Sequence, residues 1–137
     1  MTPVVLLPTT STYDTEDIIG DPVKASSWYG IPGGIHTIAV YVQNFSGILS
    51  IEGSLSLDGK GPWFPLKIEG NDYMEFPRNP KAATSIRGGD TGVVGVTIQA
   101  NVVFLRARVS RSYLSKTKLT PEQVTFLGSI RHILICM

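Results

Sequence analysis

From His36 to Leu55 the apolar residues fall at every second position, and this alternation limits the fold more than any other feature of the chain. Ile38, Val40 and Val42 share one face of an extended segment; Leu49, Ile51, Gly53 and Leu55 share one face of the next. Period-2 alternation of this length marks half-buried strands, not helices. Between them, Asn44 to Gly47 supplies residues suited to reversing the chain, so the two segments are expected to form a hairpin. After the polar loop Asp58 to Pro62, Trp63 to Ile68 is expected as a third strand. Asn71-Asp72 then turns the chain so that Tyr73 to Phe76 pairs with it.

Val93 to Ala100 alternates again, with Val94, Val96 and Ile98 on one face. After a turn at Asn101, Val103, Leu105, Ala107 and Val109 face inward while Arg106 and Arg108 face out. Ser129 to Met137 reads as a final β-branched strand, and no segment reads as a helix of ten residues or more. Short strands joined by Gly, Pro, Asn and Asp predict an all-β fold, an antiparallel β-sandwich of jelly-roll-like type. The predicted core includes Val40, Leu49, Ile51, Leu55, Val96, Ile98, Leu105 and Ala107. Residues 1–35 are expected as an extended N-terminal arm and lead-in loop, punctuated by Pro3, Pro8, Pro22 and Pro32, and residues 36–137 as the sandwich. Val4 to Leu7 is the one piece of the arm suited to joining a sheet edge.

A chain of 137 residues is long enough for one domain with its own core. Its net charge of +1 gives no general attraction to nucleic acid or anionic membrane. Charged residues make up 17 %, below the usual quarter, which fits either a surface partly covered by partners or a small sandwich rich in Ser, Thr and Gly. The single cysteine, Cys136, excludes an intrachain disulfide. His36, His132 and Cys136 are the only His and Cys, too few and wrongly spaced on strands for a zinc site, so no metal or cofactor is expected. The N-terminus lacks the pattern of a signal peptide, and no apolar run approaches membrane-helix length. These features point to assembly in a cytoplasm.

The chemistry-bearing residues do not assemble into a catalytic motif. Glu52 and Glu69 could face each other as a glycosidase pair would, but outward carboxylates on a sandwich are usually solvated. Gly88 to Gly92 lacks the lysine and helix of a phosphate loop and reads as a tight turn. The chain is therefore read as a non-enzyme. Charge is unevenly spread. Asp14, Glu16, Asp17 and Asp21 give residues 1–23 four acids and no base, whereas residues 106–137 carry six bases, among them Arg106, Arg108, Arg111, Lys116 and Lys118, against one acid. Either these are two solvated faces, or the acidic arm of one copy docks on the basic edge of another. Trp28, Tyr29 and Trp63 are candidates for stacking on a sugar, against the simpler reading that they serve burial.

The segments Gly34 to Val42, Phe45 to Leu55 and Trp63-Phe64, with Asn101 to Val109 and Gly128 to Ile135, resemble small β-sandwich virion structural proteins of tailed bacteriophages, especially phages of marine cyanobacteria. The resemblance spans about residues 28–135 and rests on core-strand and turn positions. It implies a virion structural protein that forms homo-oligomers and docks on other particle proteins. The tail side (neck, baseplate or fibre attachment) is preferred to capsid decoration, and a carbohydrate-binding module for host adhesion is the competing class. It supplies no catalytic residues; the net charge, the basic run with only Tyr113 interleaved and the absence of a long apolar run lead to the expectation of no nucleic-acid and no membrane partner.

Overall fold

A computed structural model describes residues 3–10, 17–78, 89–111 and 128–137, and places them in two packed antiparallel sheets. In chain order the strands are β1 (Val4–Leu7), β2 (Ile18–Ile19), β3 (Val23–Lys24), β4 (Ile35–Phe45), β5 (Gly47–Ser54), β6 (Phe64–Pro65), β7 (Met74–Phe76), β8 (Asp90–Gln99), β9 (Phe104–Ser110) and β10 (Ser129–Cys136). Sheet A has the order β1-β10-β4-β8. In sheet B the order is β2-β9-β5-β6, with β3 also on β9 and β7 also on β5. Between the long strands the chain repeatedly changes sheet, which with these orders is the winding of a jelly roll.

The expected hairpin at residues 36–55 is not one. β4 pairs with β10 and β8, β5 with β9, β6 and β7, and the chain crosses between sheets at Ser46. Alternation shows that each segment buries one face; it does not distinguish two strands side by side from two strands facing each other across the core. The corner itself decides. Asn44 has φ 50° and Gly47 φ 155°, and β4 bulges between Val42 and Phe45. Phe45, fully buried, closes that end of the core edge-on against Phe76, with ring centroids 5.2 Å apart. Gly89 and Gly128 pass so close to the Asn44 carbonyl that a Cβ on either would collide with it, and Gly128 also needs φ 75°.

The pairing expected between residues 63–68 and 73–76 does not form; an isolated bridge, Ile68↔Asn71, closes the turn between them. β6 and β7 each pair with β5 instead. Pro65 has no N–H to donate, which limits β6 to two residues. β8 opens at Asp90, inside the stretch expected as a turn.

The core lies between the sheets. Of the residues assigned to it from sequence, Val40, Leu49, Ile51, Val96, Ile98, Leu105 and Ala107 are buried. Leu55 is not: it is 64 % exposed, because β5 ends at Ser54 and the chain turns outward. That turn is held by Asp58, which accepts from the Ser56 hydroxyl and from Lys60 N–H at 2.9 Å, while Ser54 Oγ accepts from Ser56 N–H at 3.1 Å. The described parts of residues 1–35 follow the chain's own sandwich. Val4 and Val5 pair with Ile135 and Leu134, and Leu6, Leu7 and Ala25 belong to the common core cluster.

Candidate functional site

The strand registers bring several of the singled-out residues together on the outer face of sheet B. Glu52 of β5 is opposite Arg106 of β9, and Ser50 is opposite Arg108. Arg106 Nε donates to Glu52 Oε1 at 2.8 Å. Arg108 reaches two acids, Asp17 Oδ2 at 3.1 Å and Glu52 Oε2 at 4.0 Å. Ser110 Oγ donates to the other Asp17 oxygen at 2.9 Å. The Trp63 ring covers the Arg106 guanidinium, with 4.2 Å from Cζ to the ring centroid. The result is a continuous line, Trp63–Arg106–Glu52–Arg108–Asp17–Ser110, with its charges neutralised within the chain.

Glu52 departs from the expected solvated carboxylate. Its side chain is 10 % exposed and that of Arg106 19 %. A carboxylate so placed depends on its partners, since an unpaired charge out of water is strongly unfavourable. Glu69 lies elsewhere, in the turn closed by Ile68 and Asn71, and it pairs with Arg78 at 2.8 Å. The two carboxylates are thus held by different arginines, and the cross-strand neighbours of Glu52 are Arg106 and Pro65.

The basic run does not form one surface. Arg106 and Arg108 point outward, but Arg111 is fully buried, with its guanidinium 4.7 Å from the Phe45 ring centroid and Nη2 donating to Gly128 O at 2.7 Å. It braces the Asn44–Gly47 corner and is not a docking base. Strand parity carries this signal: 106 and 108 share a face that 111 does not. Asp21 is exposed between β2 and β3, while Asp14, Glu16, Lys116 and Lys118 lie outside the described residues.

The aromatic candidates sit at the Phe104 end of the same face. Trp28 packs at a tilt on Phe104 with centroids 5.4 Å apart, and Lys24 Nζ lies 4.5 Å from the Trp28 centroid. Phe104 and Arg106 are two residues apart on β9, so Trp28 and Trp63 occupy adjacent rows. Trp28 and Tyr29 are 41 % and 51 % exposed. Their turn is anchored from below: Ser26 N–H donates to Nε2 of the buried His36 at 3.1 Å. Burial lowers the His36 pKa, with the backbone of Gly34 acting the other way.

Sheet A presents a different outer face. Register places Thr37, Ala39 and Tyr41 of β4 beside Thr97, Gly95 and Val93 of β8 on one side, and beside Cys136, Leu134 and His132 of β10 on the other. Val5 of β1 continues the row through Leu134. These rows hold no Asp, Glu, Lys or Arg, and the exposed Arg131, at the bulge of β10, borders them beside Tyr41 and Val93. The Thr37 and Thr97 hydroxyls are 3.2 Å apart, Tyr41 stacks on His132 at 4.3 Å, and Val5 and Val93 are more than half exposed. His36, His132 and Cys136 do not converge, and no cluster of His, Cys, Asp and Glu fit to hold a metal occurs among the described residues. No described helix is long and apolar enough to cross a membrane. No family model, curated protein or solved structure matches the chain.

Proposed function

We propose that this chain is a non-enzymatic virion structural protein of a tailed bacteriophage that acts by assembling with copies of itself and with other particle proteins. The observation that carries the reading is the outer face of sheet A, whose central rows are uncharged and bordered by Arg131 at the β10 bulge. A contiguous exposed surface with apolar residues and little fixed charge is suited to being covered by protein. The jelly roll adds support of a general kind, because viral capsid and lectin domains are built on it, although a fold does not determine a role. The resemblance of the core strands to small phage sandwiches supports the virion setting, within which the tail side (neck, baseplate or fibre attachment) is preferred to capsid decoration.

Mass spectrometry and immuno-electron microscopy of purified particles test this. The chain is expected at fixed copy number, with label at the tail end. Label spread over the head would make it a capsid decoration protein, and absence from particles would remove the virion role. The exposed Trp28 and Tyr29 favour one second reading, a carbohydrate-binding module for host adhesion. Specific binding on a glycan array, lost in Trp28→Ala, would establish it.

A further inference from the structure

Three of the four sheet edges are interrupted. β1 is four residues long between Pro3 and Pro8. β2 and β3 are two residues each, separated by Gly20-Asp21-Pro22. β6 and β7, of two and three residues, lie among Pro62, Pro65 and Pro77. β8 differs. It runs for ten residues, contains no proline, and carries no charge after Asp90. Its pairing with β4 is unbroken from Val42↔Gly92 to Ile35↔Gln99, and among the described residues no strand pairs with its other side. Antiparallel geometry turns the N–H and C=O of alternate β8 residues away from β4. An edge without charge, proline or bulge on its own strand is a template for another strand.

We propose that β8 pairs antiparallel with β8 of a second copy about a two-fold axis at Gly95, joining two four-stranded sheets into one of eight. This gives the assembly reading above a specific surface; it rests on that reading only for its role in a particle. The strand is complementary to itself in this register. On the outer face Val93 of each copy meets Thr97 of the other, and Thr91 meets Gln99. On the inner face Val94 meets Val96, and the small Gly92 meets Ile98. Cross-strand pairs of β-branched residues stabilise a sheet. Because residues 91–99 are uncharged, the symmetry brings no like charges together, and Asp90 falls opposite Ala100. At Gly95, on the axis, the space a Cβ would face is open. A self-matching edge of this kind suits the isologous contact of a two-fold dimer.

Sedimentation velocity of the full chain over a range of concentrations tests the pairing. The wild-type chain is expected to be a dimer. Val93→Lys with Thr97→Lys sets lysine against lysine twice across the axis and should weaken the dimer by about 100-fold or more. Both positions are exposed, so thermal unfolding confirms that the variant is folded. Val93→Lys with Thr97→Glu sets opposite charges face to face and should restore the dimer to within about tenfold of wild type. A wild-type chain that stays monomeric overturns the proposal. So does a double-lysine variant that remains dimeric, or a folded Lys/Glu variant that stays monomeric. A monomer present in particles would remove β8 pairing and leave the virion role; a dimer absent from them would do the reverse.

Discussion

The two sheets bury the same kind of inner face and present opposite outer ones. On sheet B the outward rows of β5 and β9 are charged, and each charge finds its opposite within the chain: Arg106 with Glu52, Arg108 with Asp17 and Glu52. On sheet A the central rows of β4, β8 and β10 are neutral, and Val5 and Val93 are left more than half exposed. A low overall charge content therefore does not mean a uniformly bland surface. It arises because one face has almost none and the other has neutralised its own. The self-neutralised face fits long-range attraction to a partner less well than the uncharged one fits direct coverage, since complementary charge mainly sets encounter rate and register.

The largest test of this contrast is Arg106→Ala. Among the described residues it leaves the Glu52 side chain, 10 % exposed, with Arg108 at 4.0 Å as its one remaining basic partner. Removing one partner of a buried pair costs about 3–5 kcal/mol, and the remaining arginine places the expectation near the lower end. Thr97→Ala on the outer face of sheet A loses one exposed hydroxyl contact with Thr37 and should change stability by no more than about 1 kcal/mol. Urea denaturation of both variants measures the difference. A loss below about 1 kcal/mol for Arg106→Ala would mean that the sheet B charges are ordinary solvated groups.

A smaller test uses pH to separate the sheets. His36 faces inward on sheet A opposite Ile98, and its Nε2 accepts from Ser26 N–H, which requires the neutral ring. Burial holds its folded pKa below the ordinary 6.5. Well above 6.5 both folded and unfolded states are neutral and no stability is lost. As pH falls below that value the unfolded state takes up its proton first, so stability declines until the lower folded pKa is reached and then levels off. Carboxylates as a class titrate about two units lower, so this loss should come first in an acid titration followed by tryptophan fluorescence. His36→Gln keeps an acceptor without a titration and should abolish the decline. An unchanged decline in that variant would move its origin elsewhere.

Parity made the inward residues legible: Val40, Leu49, Ile51, Val96, Ile98, Leu105 and Ala107 are all buried as the alternation requires. Parity also separates Arg106 and Arg108 from Arg111. What it does not contain is sheet membership. The same pattern over residues 36–55 fits a hairpin or a crossing between sheets, and the choice depends on contacts from far along the chain, Gly89 and Gly128 against Asn44 and Phe76 against Phe45. Strand length was blurred for a similar reason. Leu55 continues the alternation in sequence, but Ser54, Ser56 and Asp58 end β5 with side-chain hydrogen bonds that no periodicity records. The Glu52–Arg106 pair was hidden because both residues read as outward, and only the register of β5 on β9, with Trp63 laid over it, turns an outward position into a covered one.

The smallest effect is expected at Asp17, and it bears on how residues 17–24 are held. Asp17 accepts from Arg108 and Ser110, and the side chains of the Arg108 pair are 42 % and 33 % exposed. An ion pair this open to water contributes about 0.2–1 kcal/mol, so Asp17→Asn should cost no more than that. The loss should shrink further in about 1 M salt, where the screening length falls to about 3 Å. The attachment of this segment should instead rest on the backbone pairing of Ile18 and Ile19 with Val109 and Arg108, and on Gly20 N–H donating to Ala107 O at 2.8 Å. Hydrogen exchange at Gly20 in Asp17→Asn should therefore stay close to wild type. A loss above 2 kcal/mol that salt does not reduce, or a collapse of protection at Gly20, would show that the charged line on sheet B holds the segment in place. The two faces would then differ in what they hold within the chain as well as in what they offer to a partner.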